Sequence, residues 1–254
     1  MNSQIKIMRK NIFLTIFSAI LIGLSVYPYN LGFLSWFGFI PFIFALVRAS
    51  TYKRIILLTF LWGICYHAIS VFWLSMNVGT TPLIAWISML ASILILTMNT
   101  IFIGLVWYRL QKSFIKYKYI LFPLVWVTIE YIRSYGFLGF PWVSIANSQI
   151  DYLMLIQNVE ITGIYGVSFW IITLNVLLYK IIFIKRDKYS IILFIFTFTF
   201  PWLSGKILFD RSLEYINTDS EYITAIIYQP NIKQSNKDNK NLCEKEVNEL
   251  IYRS

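Results

Sequence analysis

The stretch LIAWISMLASILILTMNTIFIGLVWY, residues 83–108, contains no charged side chain. At a rise of about 1.5 Å per residue, a helix of this length exceeds the roughly 30 Å hydrocarbon core of a bilayer. Only helices and closed barrels satisfy every backbone hydrogen-bonding group within lipid. The stretch lacks the alternation of a barrel strand. It therefore predicts a transmembrane helix that is long enough to tilt.

Six further apolar runs flank this stretch along the chain. They cover residues 12–27, 31–47, 55–74, 119–132, 161–184 and 190–205. Charged residues make up only 13% of the chain, against about a quarter in soluble domains, so the polar side chains cannot cover a soluble surface. We therefore predict a mainly α, polytopic membrane bundle of about seven transmembrane helices. Pro28 and Asn30 predict a tight turn between the first two helices.

The basic residues form four clusters between the apolar runs. The clusters are Lys6, Arg9 and Lys10; Arg48, Lys53 and Arg54; Arg109, Lys112, Lys116 and Lys118; and Lys180, Lys185, Arg186 and Lys188. If seven helices alternate, all four clusters fall on one side of the membrane. The positive-inside rule then predicts a cytoplasmic N-terminus and a C-terminal tail outside, which is the periplasm in a bacterium. The net charge of +10 thus indicates membrane topology and not nucleic-acid binding.

The loop between the fifth and sixth helices, about residues 133–160, is the longest predicted outer loop. Glu130 and Arg133 precede it and share a helix face, because they are three residues apart. They form either a structural ion pair or a contact to a lipid headgroup or loop. Pro141 and Trp142 are compatible with two roles. They either shape the place where a lipid enters the protein, or they anchor the loop at the membrane interface, as tryptophan does in many membrane proteins.

Small and titratable residues inside the apolar runs are expected to have packing roles. Gly163 and Gly166 predict close approach of the sixth helix to a neighbour. His67, the single histidine, is expected to pack inside the bundle, and no metal site is predicted. Cys65 lies in an apolar run and Cys243 in the polar tail, so a disulfide is not expected.

The composition changes after the seventh apolar run. From Asp210 onward the chain is charged and resembles a soluble protein. Residues 223–228 predict a short strand, residues 229–231 a turn and residues 239–252 a weakly amphipathic helix. One strand and one helix cannot bury a core. We therefore predict a transmembrane domain over residues 1–208 and the incomplete start of an α/β domain over residues 209–254.

Four segments in this order resemble bacterial apolipoprotein N-acyltransferases. The first is WVTIEYIR at residues 126–133, and the second is GFPW at residues 139–142, followed by Ser148 and Gln149. The third is GIYGVSF at residues 163–169, preceded by Gln157 and leading to Asn175. The fourth is YQPNIKQS at residues 228–235, which is similar to the opening strand and turn of the family's nitrilase-like domain.

The resemblance implies a role in lipoprotein maturation. Such enzymes transfer an acyl chain from a membrane phospholipid to the N-terminal amine of a diacylglyceryl-cysteine apolipoprotein, through a cysteine thioester with a Glu and a Lys beside it. No cofactor is implied. The protein is expected in the bacterial inner membrane, with residues 209–254 opening a periplasmic nitrilase-like domain.

The resemblance places the catalytic Glu, Lys and Cys beyond residue 254. Cys243 is not expected to replace the nucleophile, since the adjacent Glu244 would raise the pKa of its thiol. The chain is therefore expected to be truncated, to contain no catalytic residue and to be inactive alone, unless a separate nitrilase-like chain completes it. The residues expected to contact lipid or the interface are Glu130, Arg133, Phe140, Pro141, Trp142, Gln149 and Tyr165.

A second hypothesis belongs to a different class of protein. The chain is then a non-catalytic membrane anchor or scaffold for a separate enzyme, such as a glycosyltransferase, because related membrane folds can serve different chemistry. A transporter is a weaker third hypothesis. It would require intramembrane charges, and the first four predicted helices contain no acidic residue.

Overall fold

The computed structural model describes residues 2–26, 28–136 and 139–218, together with residues 244 and 248. Within these ranges all regular secondary structure is helical, and each predicted apolar run contains a helix. The mainly α prediction is therefore confirmed for this part of the chain. The predicted strand at 223–228 and Cys243 lie outside the described residues, and so does the helix predicted at 239–252 except for residues 244 and 248.

Eight α-helices follow one another in the described part of the chain. They are α1 (Asn2–Leu24), α2 (Ile40–Val47), α3 (Tyr52–Ser70), α4 (Pro82–Ser113), α5 (Lys118–Arg133), α6 (Leu153–Ile156), α7 (Val159–Phe183) and α8 (Lys188–Thr218). Short 3-10 turns occupy Gly32–Trp36, Phe72–Met76, Ile115–Tyr117, Pro141–Val143 and Ile145–Gln149.

Four of these helices are long and apolar enough to cross a membrane. They are residues Gln4–Leu24 of α1, the whole of α4 and α7, and residues Lys188–Glu214 of α8. The segment Gly32–Val47 is apolar but shorter. The chain is therefore a membrane protein with several spans.

The prediction of one continuous second helix over residues 31–47 is wrong. The run is divided into a 3-10 turn, Gly32–Trp36, and the eight-residue α2. Between them the Gly38 carbonyl accepts a hydrogen bond from Ser18 Oγ at 2.6 Å, and the Phe39 N–H donates to Asn175 Oδ1 at 2.9 Å. Side chains of α1 and α7 thus satisfy backbone groups at the break. Hydropathy alone cannot reveal this, because the residues at the break itself are apolar or small.

The predicted turn between the first two helices is confirmed. Asn30 has a φ of 55°, in the left-handed region that asparagine tolerates better than most residues. The Leu31 N–H donates to the Leu24 carbonyl at 3.3 Å, which closes the chain back onto the end of α1. The two segments therefore run in opposite directions.

A stack of aromatic rings around Trp62 forms the centre of the bundle. The Trp62 ring lies 5.4 Å from Phe39, 5.2 Å from Phe42 and 4.8 Å from Tyr66, measured between centroids. Trp126 of α5 meets it edge-on at 5.3 Å. Such pairs contribute about 0.5–1.5 kcal/mol each beyond the area that they bury. The stack joins α2, α3 and α5.

Two glycines allow α3 and α4 to pack closely. A Cβ at Gly63 would lie 2.9 Å from Thr97 Cγ2, and a Cβ at Gly104 would overlap the side chain of Thr59. Helices in lipid gain little from hydrophobic exclusion, so their association depends on such close packing.

Hydrogen bonds fasten α8 to the rest of the bundle. Pro201 has no N–H, so the Thr197 carbonyl is free to accept a hydrogen bond from Trp170 Nε1 at 2.5 Å. The Asn158 amide donates to the Pro201 carbonyl at 2.8 Å and accepts from Ser204 Oγ at 2.6 Å. α8 continues to Thr218, beyond the predicted boundary at residues 208 and 209. The division into two domains stays a prediction.

Contacts between helices bring the four basic clusters to one end of the bundle, which we call the basic end. Arg54 of α3 donates to Gln4 of α1, and Lys112 of α4 lies over the ring of Tyr52. Lys180 of α7 lies 5.9 Å from the Tyr119 ring of α5, measured from Nζ to the centroid. The opposite end carries the segment between α5 and α7, and we call it the loop end.

Replacing Gly104 with leucine should destabilise the bundle by about 1–3 kcal/mol, because the new side chain must displace Thr59 at a tight interface. The measurement is reversible unfolding of the purified chain in mixed detergent micelles. The matched control is Ala91→Leu, on the exposed surface of the same helix, which should change the free energy of unfolding by less than about 0.5 kcal/mol. Equal losses in both variants would contradict the proposed packing role.

Candidate functional site

The carboxylate of Glu130 organises the loop end. It lies in the last turn of α5, and its side chain is only 1% exposed. Oε1 accepts a hydrogen bond from the Ile145 N–H at 2.8 Å, and Oε2 accepts one from Ser144 Oγ at 3.2 Å. Hydrogen bonds to a charged group contribute about 1.5–3 kcal/mol each. A carboxylate of the helix therefore holds the loop that follows it.

Ser168 of α7 extends this network to a second helix. Its hydroxyl lies 3.0 Å from the Ser144 hydroxyl and accepts the Ala146 N–H at 3.1 Å. Ser168 is fully buried, so the loop is fixed between α5 and α7 by polar contacts that water does not reach. Low dielectric strengthens such contacts.

Gln149 fixes the other end of the same loop. Its Nε2 donates to Ser35 Oγ at 2.9 Å and to the Gly32 carbonyl at 3.2 Å, while its Oε1 accepts from Trp36 Nε1 at 2.9 Å. Gln149 is completely buried. All the hydrogen-bond partners observed for its side chain are groups of the protein itself. A contact between Gln149 and lipid stays a prediction.

Asn175 joins the same region to the middle of α7. Its Nδ2 donates to the Ser35 carbonyl at 2.7 Å, and its Oδ1 accepts the Phe39 N–H. In the sequence, Asn175 belongs to the third segment of the family resemblance, which implies no role for it. A polar amide within an otherwise apolar helix is the signal that could have found it.

Arg133 has unused hydrogen-bonding capacity. Its side chain is 9% exposed, and Nη2 lies 3.9 Å from Glu130 Oε1, which is an ion pair but long for a hydrogen bond. The Nε donor has no hydrogen-bond partner in the described part of the chain. A guanidinium carries five N–H donors in a planar fork that suits carboxylates and phosphates. Arg133 therefore keeps hydrogen-bonding capacity that the described residues do not use.

The side chains of Trp73, Phe140 and Trp142 form a rim at the loop end, which we call the aromatic rim. Trp142 is 62% exposed, and its ring lies 5.2 Å from Trp73 and 5.5 Å from Phe140. Pro141 begins the 3-10 turn that carries Trp142. Exposed tryptophans of this kind are common where a protein meets the interface between lipid and water.

A small cavity of about 140 Å³ opens behind the rim. Its lining residues are Val26, Tyr66, Ser70, Trp73, Trp142, Val143, Asn147 and Ile150. The Tyr66 hydroxyl donates to the Val143 carbonyl at 3.3 Å, which joins α3 to the loop. Tyr66 also lies close enough to Arg133 to interact with its charge.

Tyr165 connects α7 to the start of the loop. Its hydroxyl donates to Ser134 Oγ at 2.7 Å, and its ring meets Tyr131 edge-on at 5.3 Å. Tyr165 follows a break in α7 at Gly163, where φ is 65° and ψ is 175°. That conformation is essentially restricted to glycine.

The prediction that Gly163 serves close helix packing is wrong. A Cβ built at Gly163 would meet nothing within 4 Å, whereas one at Gly166 would overlap Thr162 of its own helix. The glycine at 163 is required by the backbone conformation.

His67 behaves as expected, since it is 1% exposed and its Nε2 lies 3.4 Å from Thr100 Oγ1.

The structure thus separates the predicted site residues into two groups. Glu130 and Gln149 are buried and hold the loop, and Tyr165 ties the loop to α7. Arg133 keeps an unused donor, and Trp142, which follows Pro141 and packs against Phe140, presents an exposed ring. Such a set can bind and orient an amphiphile with an anionic headgroup. The fold and site together define a polytopic membrane protein with an organised loop between α5 and α7.

Comparison with known proteins identifies the family. The family model described as "Apolipoprotein N-acyltransferase N-terminal domain" matches residues 18–177. An apolipoprotein N-acyltransferase of Geobacter metallireducens is 32% identical over 180 residues, which are 68% of this chain and 34% of the relative. One from Thermotoga maritima is 30% identical over 239 residues, 89% of this chain and 45% of the relative.

The chain belongs to the apolipoprotein N-acyltransferase family, through its N-terminal membrane domain. A more distant relative from Pasteurella multocida is 23% identical over 246 residues, 92% of this chain and 46% of that protein. The chain therefore spans less than half the length of these curated relatives. The matched region includes the Glu130 network, Arg133 and the aromatic rim.

Replacing Glu130 with alanine should destabilise the chain by about 3–5 kcal/mol, because it leaves the nearly buried Arg133 charge without its carboxylate. The free energy of unfolding in mixed micelles is the measurement. The Glu130→Gln/Arg133→Gln double variant removes both charges and should lose less than Glu130→Ala alone. If the double variant is at least as unstable as Glu130→Ala, the unpaired charge of Arg133 does not explain the loss in free energy of unfolding.

Replacing Gly163 with alanine should cost about 1–3 kcal/mol, because the backbone there is nearly inaccessible to L-residues. Because a Cβ at this position meets no other atom within 4 Å, the loss should come from backbone strain alone. It should appear as a lower unfolding temperature. The control is Ile161→Ala, at a side chain that is 70% exposed in the same turn. An unchanged unfolding temperature for Gly163→Ala would mean that α7 can straighten freely.

Proposed function

We propose that residues 1–254 provide the membrane part of an enzyme that transfers an acyl chain from a phospholipid to the N-terminal amine of a diacylglyceryl-cysteine apolipoprotein. The observation that carries this proposal is the Arg133 guanidinium at the loop end, which is nearly buried and whose Nε donor has no hydrogen-bond partner among the described residues. A phosphate diester carries the charge and the oxygen geometry that such a guanidinium recognises. The names of the relatives support the reaction class.

In this proposal the phospholipid headgroup lies against Arg133 and the aromatic rim. Phe140 and Trp142 hold the loop at the depth of the headgroups, where tryptophan is favoured. The cavity bounded by Trp73 and Trp142 accepts the first part of an acyl chain or the glycerol unit. These residues bind and orient the donor, and they perform no covalent step themselves.

The topology that fits this function has seven spans in the bacterial inner membrane. The four long apolar helices and the shorter segments Gly32–Val47, α3 and α5 then alternate in direction. The basic end faces the cytoplasm under the positive-inside rule, and the loop end faces the periplasm. α8 leads from the basic end to the loop end, where residues 209–254 begin a nitrilase-like domain.

The covalent chemistry belongs to that nitrilase-like domain. The family resemblance assigns it a thioester-forming Cys with a Glu and a Lys, and none of the three is assigned to residues 1–254. The domain is supplied either by a longer form of the same chain or by a second chain. The alternative function is a membrane scaffold for an unrelated enzyme, such as a glycosyltransferase.

Purified residues 1–254 should show no acyl transfer from phosphatidylethanolamine to a diacylated lipopeptide, measured by mass spectrometry of the lipopeptide. Adding the nitrilase-like domain, as a fused continuation or as a separate chain, should give activity. Turnover by residues 1–254 alone would refute the assignment of chemistry to the added domain. Co-purification with a glycosyltransferase, and no activity after the addition, would favour the scaffold.

In the completed enzyme, Arg133→Lys should raise the KM for phospholipid about 10-fold, because lysine keeps the charge but loses the planar fork. The kcat should change little, since Arg133 is a binding residue. Arg211→Lys is the matched control, because Arg211 pairs with Glu160 on the exposed surface. Equal KM values in wild type and Arg133→Lys would remove Arg133 from the donor site.

A further inference from the structure

A second lipid-accessible groove lies at the basic end, far from the loop described above. It has a volume of about 220 Å³ between α1, α2 and the end of α7. Its apolar walls are Leu14, Ile40, Pro41, Phe44 and Phe183, and Lys10 lies at its mouth. The Phe44 and Phe183 rings meet edge-on at 4.9 Å and form the back of the groove.

Two cations share the same aromatic ring at this groove. The guanidinium carbon of Arg48 lies 3.7 Å from the Phe44 centroid, and Lys10 Nζ lies 5.7 Å from it. The ring faces attract cations, and they therefore hold both side chains beside the groove. Two like charges beside one ring repel each other, so an anion between them would stabilise the arrangement.

The protein does not supply that anion within its described residues. Neither Lys10 nor Arg48 makes an ion pair there. Asp187 is the carboxylate of the connection between α7 and α8, and its oxygens already accept hydrogen bonds from the Ser190 N–H at 3.0 Å and the Ser190 hydroxyl at 2.8 Å. Asp187 thus caps α8, and these hydrogen bonds lower the pKa of its carboxyl. The two cations remain available to a ligand.

We infer that this groove is a binding site for an anionic phospholipid. The phosphate lies between Lys10 and Arg48, and one acyl chain follows the wall formed by Leu14, Ile40 and Phe44. A second acyl chain has room on the other side of Phe183, because that ring also lines a larger cleft of about 620 Å³ between α7 and the start of α8. Lys185 and Arg186 lie at that cleft.

The occupant is a lipid and not a soluble phosphate compound, because the cations stand directly above apolar walls. A headgroup alone would leave those walls uncovered, whereas a phospholipid fills both parts of the site. The charge selects anionic lipids, since a basic residue near an anionic surface contributes about 1 kcal/mol, or roughly a fivefold change in affinity. Basic pockets between membrane helices are a known type of site for such headgroups.

This site is separate from the donor site of the proposed function. Arg133 belongs to the loop end, whereas Lys10 and Arg48 belong to the basic end. The lipid held here joins α1, α2 and α7, so its expected effect is on the stability of the bundle. The inference therefore stands even if the proposed acyl transfer is wrong.

The test is lipid binding to purified residues 1–254. Delipidated chain is titrated with phosphatidylglycerol and with phosphatidylcholine of the same acyl chains, and the bound lipid is counted by native mass spectrometry. Wild type should bind phosphatidylglycerol at least fivefold more tightly. The Lys10→Gln/Arg48→Gln variant should lose about 10- to 30-fold in affinity for phosphatidylglycerol, and less for phosphatidylcholine, because its choline cation offsets the phosphate charge.

The matched control is Lys53→Gln/Arg109→Gln, which removes the same charge from exposed positions at the same end of the bundle. It should keep its affinity for phosphatidylglycerol within twofold. Equal losses in the two double variants would show a diffuse basic surface and overturn the site. The charge-preserving Lys10→Arg/Arg48→Lys variant should retain binding, which separates loss of charge from loss of folding.

Two further arms test the apolar half of the site. Glycerol phosphate, which has the headgroup charge but no acyl chain, should not compete with phosphatidylglycerol. Leu14→Trp fills the groove and should weaken phosphatidylglycerol binding while Lys10 and Arg48 are intact. Full competition by glycerol phosphate would show that the cations bind a free phosphate and would overturn the lipid assignment.

Discussion

The buried carboxylate of Glu130 is the constraint on which the loop end depends. A charge in an apolar bundle is stable only where hydrogen bonds and an opposite charge surround it. The Ile145 N–H and the Ser144 hydroxyl provide the hydrogen bonds, and Arg133 provides the charge. This requirement fixes the position of the loop relative to α5. It also leaves the guanidinium at the loop end with an Nε donor that has no partner among the described residues.

The same principle operates at the other fixed points of the bundle. Asn175 satisfies the broken backbone before α2, and Gln149 fastens the 3-10 turn at Gly32–Trp36. The Thr197 carbonyl, freed by Pro201, accepts from Trp170. Lipid offers no hydrogen bonds to these groups, so each irregular segment needs a partner from a neighbouring helix. Irregularity and interhelical contact therefore occur together.

Charge divides the molecule into two different ends. The basic end concentrates cations, two of which lie over Phe44 beside an apolar groove. The loop end has the Glu130–Arg133 pair and a rim of exposed aromatic rings. Both ends offer a cation beside an apolar surface, which is the arrangement that an amphiphile needs. The loop end differs in that its cation is largely buried and its loop is rigidly held.

The sequence by itself determined the class of protein, the location of its helices and the clustering of basic residues, because hydropathy and charge are local properties of the chain. The family resemblance also followed from short local segments. Only the tertiary structure decided the break within residues 31–47 and the backbone role of Gly163. It also decided that the side chain of Gln149 is fully hydrogen-bonded within the protein, whereas Arg133 keeps an unused donor. Those features depend on partners distant in sequence, such as Asn175 for Phe39 and Trp36 for Gln149. A polar side chain carries no local sign of which buried group it will satisfy, and so its burial or availability emerges only when the helices pack.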